Sequence, residues 1–99
     1  MDVEIVKYIV LGKWTDQGRK TIPDIEKRVE NPRNLIEEKN GSMSLYFTMG
    51  EYDFVAIIDM PNEENMVEIL MKLNAIDNFA TKTLKAWTDD EFVKMISKL

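Results

Sequence analysis

Ser42-Met43-Ser44-Leu45-Tyr46-Phe47-Thr48-Met49-Gly50-Glu51-Tyr52-Asp53-Phe54-Val55-Ala56-Ile57-Ile58-Asp59-Met60 is the stretch that decides the fold of this chain. In its first half Met43, Leu45, Phe47 and Met49 point one way, and Ser42, Ser44, Tyr46 and Thr48 point the other. That period of two is the signature of a strand with one buried face. Gly50-Glu51-Tyr52-Asp53 interrupts the pattern, and residues 53–60 resume it as a nearly continuous apolar run. The run is short enough for a strand and apolar on both faces. Two such segments around a glycine turn make a β-hairpin.

Upstream, Asn40-Gly41 is a helix stop. Before it Ile22, Ile25, Val29 and Ile36 keep a helical spacing, but Pro23 and Pro32 each delete a backbone donor. The expectation is a short turn near 16–22, a helix beginning at Pro23, and a kink or break at Asn31-Pro32. Residues 5–12 are β-branched, largely apolar and closed by Gly12, hence a first strand. Downstream, Pro61-Asn62 starts a helix with Glu63 and Glu64 in its positive first turn. Its buried stripe is Met66, Ile69, Leu70, Leu73 and Ile76. Residues 79–87 alternate again, Thr81, Thr83 and Lys85 against Ala80, Leu84 and Ala86. Thr88-Asp89-Asp90-Glu91 is a capping box opening a last short helix whose apolar face is Phe92, Met95, Ile96 and Leu99.

The order is β-α-β-β-α-β with an added C-terminal helix, which predicts a four-stranded antiparallel sheet with two helices on one face. The other face is expected to carry Ser42, Ser44, Tyr46 and Thr48 from the second strand and Thr81, Thr83 and Lys85 from the fourth. From the first strand it takes either Ile5, Ile9 and Leu11 or Val6, Tyr8 and Val10. Such a face is too apolar for water and too polar for a dry core, so it should meet a partner or line a cavity.

Composition closes many routes to function. The 99 residues, 44% hydrophobic and 31% charged, make one domain. With no cysteine and no histidine, disulfides, thiolate zinc, cysteine nucleophiles, the serine–histidine triad and histidine metal or haem ligation are all excluded. The net charge is −5; residues 1–50 balance eight basic against eight acidic side chains, and residues 51–99 hold five against ten. An acidic chain is a poor partner for nucleic acid or anionic membrane. The N-terminus lacks a basic leader and the longest strictly apolar run is Phe54 to Ile58, so a cytoplasmic location is expected. Glycines 12, 18, 41 and 50 make neither a dinucleotide fingerprint nor a phosphate loop. Asp89-Asp90-Glu91 and Glu63-Glu64 read as helix-start carboxylates, and the seven methionines as core filling. No metal and no cofactor is expected.

Trp14-Thr15-Asp16-Gln17-Gly18 after the first strand and Gly50-Glu51-Tyr52-Asp53 in the hairpin resemble the two signatures of the GYD domain family. The resemblance extends to Trp87-Thr88-Asp89-Asp90-Glu91-Phe92 before the last helix, and so over nearly the whole chain. Pro23 and Pro32 depart from the long uninterrupted helix that the family pattern leads one to expect. The resemblance implies an α+β fold, a ferredoxin-like βαββαβ(α) sandwich that pairs as a dimeric α/β barrel. It implies no settled biochemical activity.

Three candidate sites follow. Tyr52 and Asp53 either shape the hairpin or stand at a pocket mouth, where the carboxylate is a base or an amine ligand. Trp14 and Arg19 either plug the core and cap a helix or guard an anion entrance. Tyr8, Tyr46, Thr48, Thr83 and Lys85 either pack in a dimer interface or line a cavity, with Lys85 as counter-ion or base. The leading expectation is a small-molecule-binding, regulatory module that self-associates as a homodimer or higher oligomer through its sheet. The alternatives are a cofactor-free enzyme on a small organic substrate, of isomerase or monooxygenase type, and a structural assembly protein.

Overall fold

A computed structural model describes residues 5–20, 22–74 and 79–99. Four strands, β1 (Val6–Trp14), β2 (Ser42–Phe47), β3 (Phe54–Met60) and β4 (Phe79–Ala86), form one sheet in the order β2-β3-β1-β4. Every neighbouring pair is antiparallel. Between β1 and β2 lie α1 (Asp16–Lys20), a 3-10 turn (Ile22–Asp24) and α2 (Ile25–Glu38). Helix α3 (Glu63–Asn74) joins β3 to β4, and α4 (Asp89–Ile96) follows β4. This is the ferredoxin-like α+β topology expected from the element order.

One face of the sheet meets the two long helices. Tyr8 and Val10 of β1 and Ala56, Ile58 and Met60 of β3 form a core with Ile36 of α2 and Met66, Ile69 and Leu73 of α3. Ile36, Met60, Met66 and Ile69 are fully buried. Full burial of a side chain of this size is worth about 1.5–3 kcal/mol. Leu70 packs at the margin of this core; Ile76 lies outside the described residues.

Local chemistry sets the helix ends. At the end of α2 the Asn40 N–H donates to Glu37 O at 3.0 Å and the Gly41 N–H to Ile36 O at 2.9 Å. Asn40 takes the left-handed conformation, φ 62°. This is the αL stop that Asn40-Gly41 predicts, with the asparagine rather than the glycine in the left-handed position. The Asn62 side chain accepts from the Asn65 N–H at 2.9 Å and caps α3. The Thr88–Glu91 capping box of α4 is complete in both directions.

Two expectations need correction. Helix α2 runs unbroken through Pro32, and Pro23 sits in the 3-10 turn before it rather than at its first position. Proline deletes one intrahelical bond, and that is tolerated because Val29 and Ile36 on either side stay anchored on the sheet-facing stripe. The second correction concerns β4. Tyr8, on the helix side, stands opposite Lys85, as Val10 does opposite Thr83 and Gly12 opposite Thr81. Opposed residues of an antiparallel pair share a face, so Thr81, Thr83 and Lys85 lie on the helix side. The open face carries Lys7, Ile9 and Leu11 of β1, Ser42, Ser44 and Tyr46 of β2, Val55, Ile57 and Asp59 of β3, and Lys82, Leu84 and Ala86 of β4.

Candidate functional site

The two sequence signatures meet at one end of the sheet. The Asp53 N–H donates to Gly12 O at 2.8 Å, and the Asp53 carboxylate accepts from the Trp14 N–H at 2.8 Å. The side chain thus stands in for the next main-chain carbonyl of the β1–β3 ladder. Thr48 closes the same turn: its N–H donates to Asp53 O at 2.8 Å and its hydroxyl to Tyr52 O at 2.6 Å. Gly50, at φ 128°, supplies the turn conformation that side chains disfavour. The Lys13 ammonium lies 5.4 Å from the Tyr52 ring centroid.

Asp53 fixes the backbone of Trp14, and register places aromatics around that indole. Trp14 stands opposite Phe79, and Phe54 lies between Gly12 and Phe47. The Trp14 ring stacks on Phe47 at 6.1 Å and leans on Phe54 at 5.2 Å, while Phe54 meets Phe79 edge-on at 5.6 Å. The Phe54 ring crosses directly over Gly12, where any Cβ would collide with it. From α2, the Arg28 guanidinium lies 5.0 Å over the Trp14 ring and donates to Gly18 O at 2.9 Å. Arg28 therefore ties α1, α2 and the indole together. The Thr15 hydroxyl accepts from the Gly18 N–H at 3.1 Å, which holds the short α1 turn.

Beneath this lid, between the sheet and α2, lies a cavity of about 70 Å³. Its floor is Val10, Ala56 and Ile58, its helical wall is Ile25, Val29 and Pro32, and its mouth holds Trp14, Phe47 and Arg28. Thr81 of β4 also lines it. Arg28 was not among the residues singled out from sequence. The signal was there: Ile25, Arg28, Val29, Pro32 and Ile36 form one helical stripe, with an arginine in an apolar series.

The remaining candidates are dispersed. Arg19 is exposed and pairs with Asp16 at 3.4 Å. Tyr46 is 59% exposed on the open face. At the opposite end of the helix side, Lys85 pairs with Glu63 at the start of α3 and lies 5.5 Å from the Trp87 ring. Tyr8 is buried beside them; burial, then the Glu63 charge, push its hydroxyl above the usual phenol range, with Lys85 opposing. Thr83 neighbours Lys85 on β4, two residues along the same face. The structure thus gathers Trp14, Thr48, Tyr52 and Asp53, separates Tyr8, Thr83 and Lys85 from them, and isolates Tyr46 and Arg19. Among the described residues no group of acidic side chains is placed to hold a metal ion.

Two solved structures resemble the fold. MtbAldR resembles this chain with a TM-score of 0.65 at 16% identity over 85% of this chain, which spans 52% of MtbAldR. A dimeric ferredoxin-like protein of unknown function from Thermobifida fusca YX matches with a TM-score of 0.44 at 15% identity, over 83% of this chain and 91% of its own. At such identity the MtbAldR likeness is one of fold. No curated protein matches in sequence. The GYD domain model matches residues 8–96, taking in the Trp14 segment, the Gly50–Asp53 turn and the whole of α4, and the chain belongs to the GYD domain family.

Proposed function

We propose that this protein is a cytoplasmic small-molecule-binding module of regulatory type, that its ligand enters the apolar cavity under Trp14 and Arg28, and that it works as a homo-oligomer joined through its open sheet face. The observation that carries the reading is the cavity itself. A half-open, apolar hollow of about 70 Å³ hydrates poorly, so an apolar group that enters it gains packing contacts and releases water. Apolar walls with a few polar groups at the mouth are the usual form of a ligand pocket. The size suits a ring or a branched alkyl group. The enzyme reading lacks a comparable support: Tyr8, Glu68 and Glu91, whose pKa values are displaced, line no part of the cavity.

The test is a thermal-shift and Trp14-fluorescence titration with toluene, indole and phenylacetate, on the natural chain and on Ala56→Val. Ala56 is buried on the cavity floor, so two added methyl groups occupy the space. A ligand at ten times its Kd stabilises by about 1.4 kcal/mol, or roughly 7 °C for a domain of this size. The expected result is such a shift for at least one probe, absent in Ala56→Val. If no probe shifts the natural chain while Ala56→Val alone melts higher, the cavity is a packing gap and the reading fails.

A further inference from the structure

Among the described residues, Arg28 is the one charged side chain that lines the cavity; apart from Thr81, the others are apolar or aromatic. It stands on the inward stripe of α2 between Ile25 and Pro32, where a leucine or methionine would serve the helix equally well. Shielding even part of a guanidinium from water is unfavourable, and Arg28 is half-buried. Two contacts offset some of that: the Trp14 ring lies 5.0 Å away, and Gly18 O accepts from Nη1 at 2.9 Å. Both are neutral groups, so they fix the guanidinium without altering its charge.

A positive charge at the rim of an apolar hollow sets the chemistry of what can enter. A neutral hydrocarbon gains from the walls alone. A cationic head is repelled by Arg28, and no aspartate or glutamate among the described residues lines the cavity to receive it. A carboxylate gains twice: its charge is opposed, and its two oxygens match the planar fork of N–H donors. The guanidinium is already held against Trp14 and Gly18, so little side-chain freedom is lost when a ligand docks. The indole beside it also keeps water back, which strengthens such a pair beyond an exposed surface ion pair.

Charge around the mouth agrees. From Lys13 to Arg33, through the end of β1, α1 and the first part of α2, six side chains are basic and four acidic. This is a locally positive stretch in a chain of net charge −5. The field there favours an approaching anion although the molecule as a whole does not. Valence and reach narrow the class further. One lining cation matches one negative charge, whereas a phosphate monoester brings about two. Arg28 lines the same hollow that receives the apolar group, so acid and body are joined by a short link.

Resting on the cavity reading above, we propose that the ligand is a small monocarboxylic acid. Its aromatic or branched alkyl body fills the cavity, and its carboxylate pairs with the Arg28 guanidinium at the mouth. Three probes that share one ring isolate the charge: phenylacetate, phenylacetamide and phenethylamine, with toluene as the hydrocarbon reference. Each is titrated into the natural chain, Arg28→Gln and Ala56→Val and followed by NMR chemical shifts, with circular dichroism to confirm folding. Phenylacetate is expected to bind about tenfold tighter than phenylacetamide, the advantage of a charge-assisted bond over a neutral one. Phenethylamine should be the weakest of the three.

In Arg28→Gln toluene should still bind, while the preference for phenylacetate over phenylacetamide disappears. In Ala56→Val phenylacetate and toluene should be lost together. Toluene binding with no advantage for phenylacetate overturns the acid and leaves the cavity reading intact. A phenylacetate preference that survives in Arg28→Gln or in Ala56→Val puts the anion elsewhere and overturns the proposal too. No binding by any probe overturns both. Should Arg28→Gln fail to fold, the order of the three probes on the natural chain and their loss in Ala56→Val decide.

Discussion

Asp53 is the residue on which the candidate site turns. Its carboxylate is hydrogen-bonded to the Trp14 N–H, and its own N–H to Gly12 O, so it ends the β1–β3 ladder with a side chain instead of a carbonyl. Removing the acceptor leaves the Trp14 N–H without its partner, a loss of about 1–3 kcal/mol. Asp53→Ala is therefore expected to unfold at correspondingly lower urea and to red-shift tryptophan emission. Asp53→Asn, which keeps an oxygen at the same place, should recover most of both. Equal damage from the two variants would mean that the charge, rather than the backbone bond, is what matters. Gly12 belongs to the same arrangement, since the Phe54 ring occupies the space of its missing side chain.

Much of this was legible residue by residue, and the exceptions have physical causes. The β2 alternation assigned Met43 and Leu45 inward and Ser44 and Tyr46 outward, as the structure has them. The same rule misplaced Thr81, Thr83 and Lys85. β4 is an edge strand, where a threonine or lysine on the helix side reaches solvent past the end of α3, as Lys85 does in pairing with Glu63. Polarity then no longer marks the outer face; only the register with β1 does, and register is a long-range property. Arg28 was hidden for the converse reason, a charged side chain on an apolar stripe whose stem packs while its head bridges Trp14 and Gly18.

Among the elements, α2 is the one whose sequence argues against its structure. Pro32 lies inside a helix of 14 residues and also lines the cavity. An interior proline costs up to about 3 kcal/mol relative to alanine. Pro32→Ala is expected to raise the melting temperature by restoring a helical bond, even though it removes a ring from the cavity wall. If the proline shapes the pocket for a ligand, the same variant should weaken binding of the probe that occupies it. A stabilised variant with unchanged binding would show the proline to be incidental to the site. Glu68 of α3 makes the bond between helices: it is 3.3 Å from Lys39 after α2 and 3.2 Å from Lys72. Hydrogen bonds from Lys72 and Lys39 hold its carboxyl below the usual carboxylate range.

At the scale of the whole molecule, pH acts through these same groups. Bonds from Thr88 lower the Glu91 carboxyl as the lysines lower Glu68. A depressed carboxylate contributes stability that is present above its ordinary pKa, near 4.5, and lost as the pH falls through the lower folded value. Tyr8 works in the opposite direction: its raised pKa leaves stability complete below 10 and lost as the pH climbs past it. With no histidine, no side chain has an ordinary pKa near neutrality. Thermal unfolding should therefore show a plateau from about pH 5 to pH 9, falling at both ends. A step near pH 6.5 would reveal a perturbed group that this structure does not explain.

The central proposal is that copies of this chain join through the open sheet face and hold a small molecule. Native mass spectrometry of the gently purified protein tests that directly, because it weighs the assembly and anything held within it. The account predicts a species of twice the 11.6 kDa chain mass, carrying a small, removable adduct. A bare 11.6 kDa monomer at micromolar concentration would contradict it.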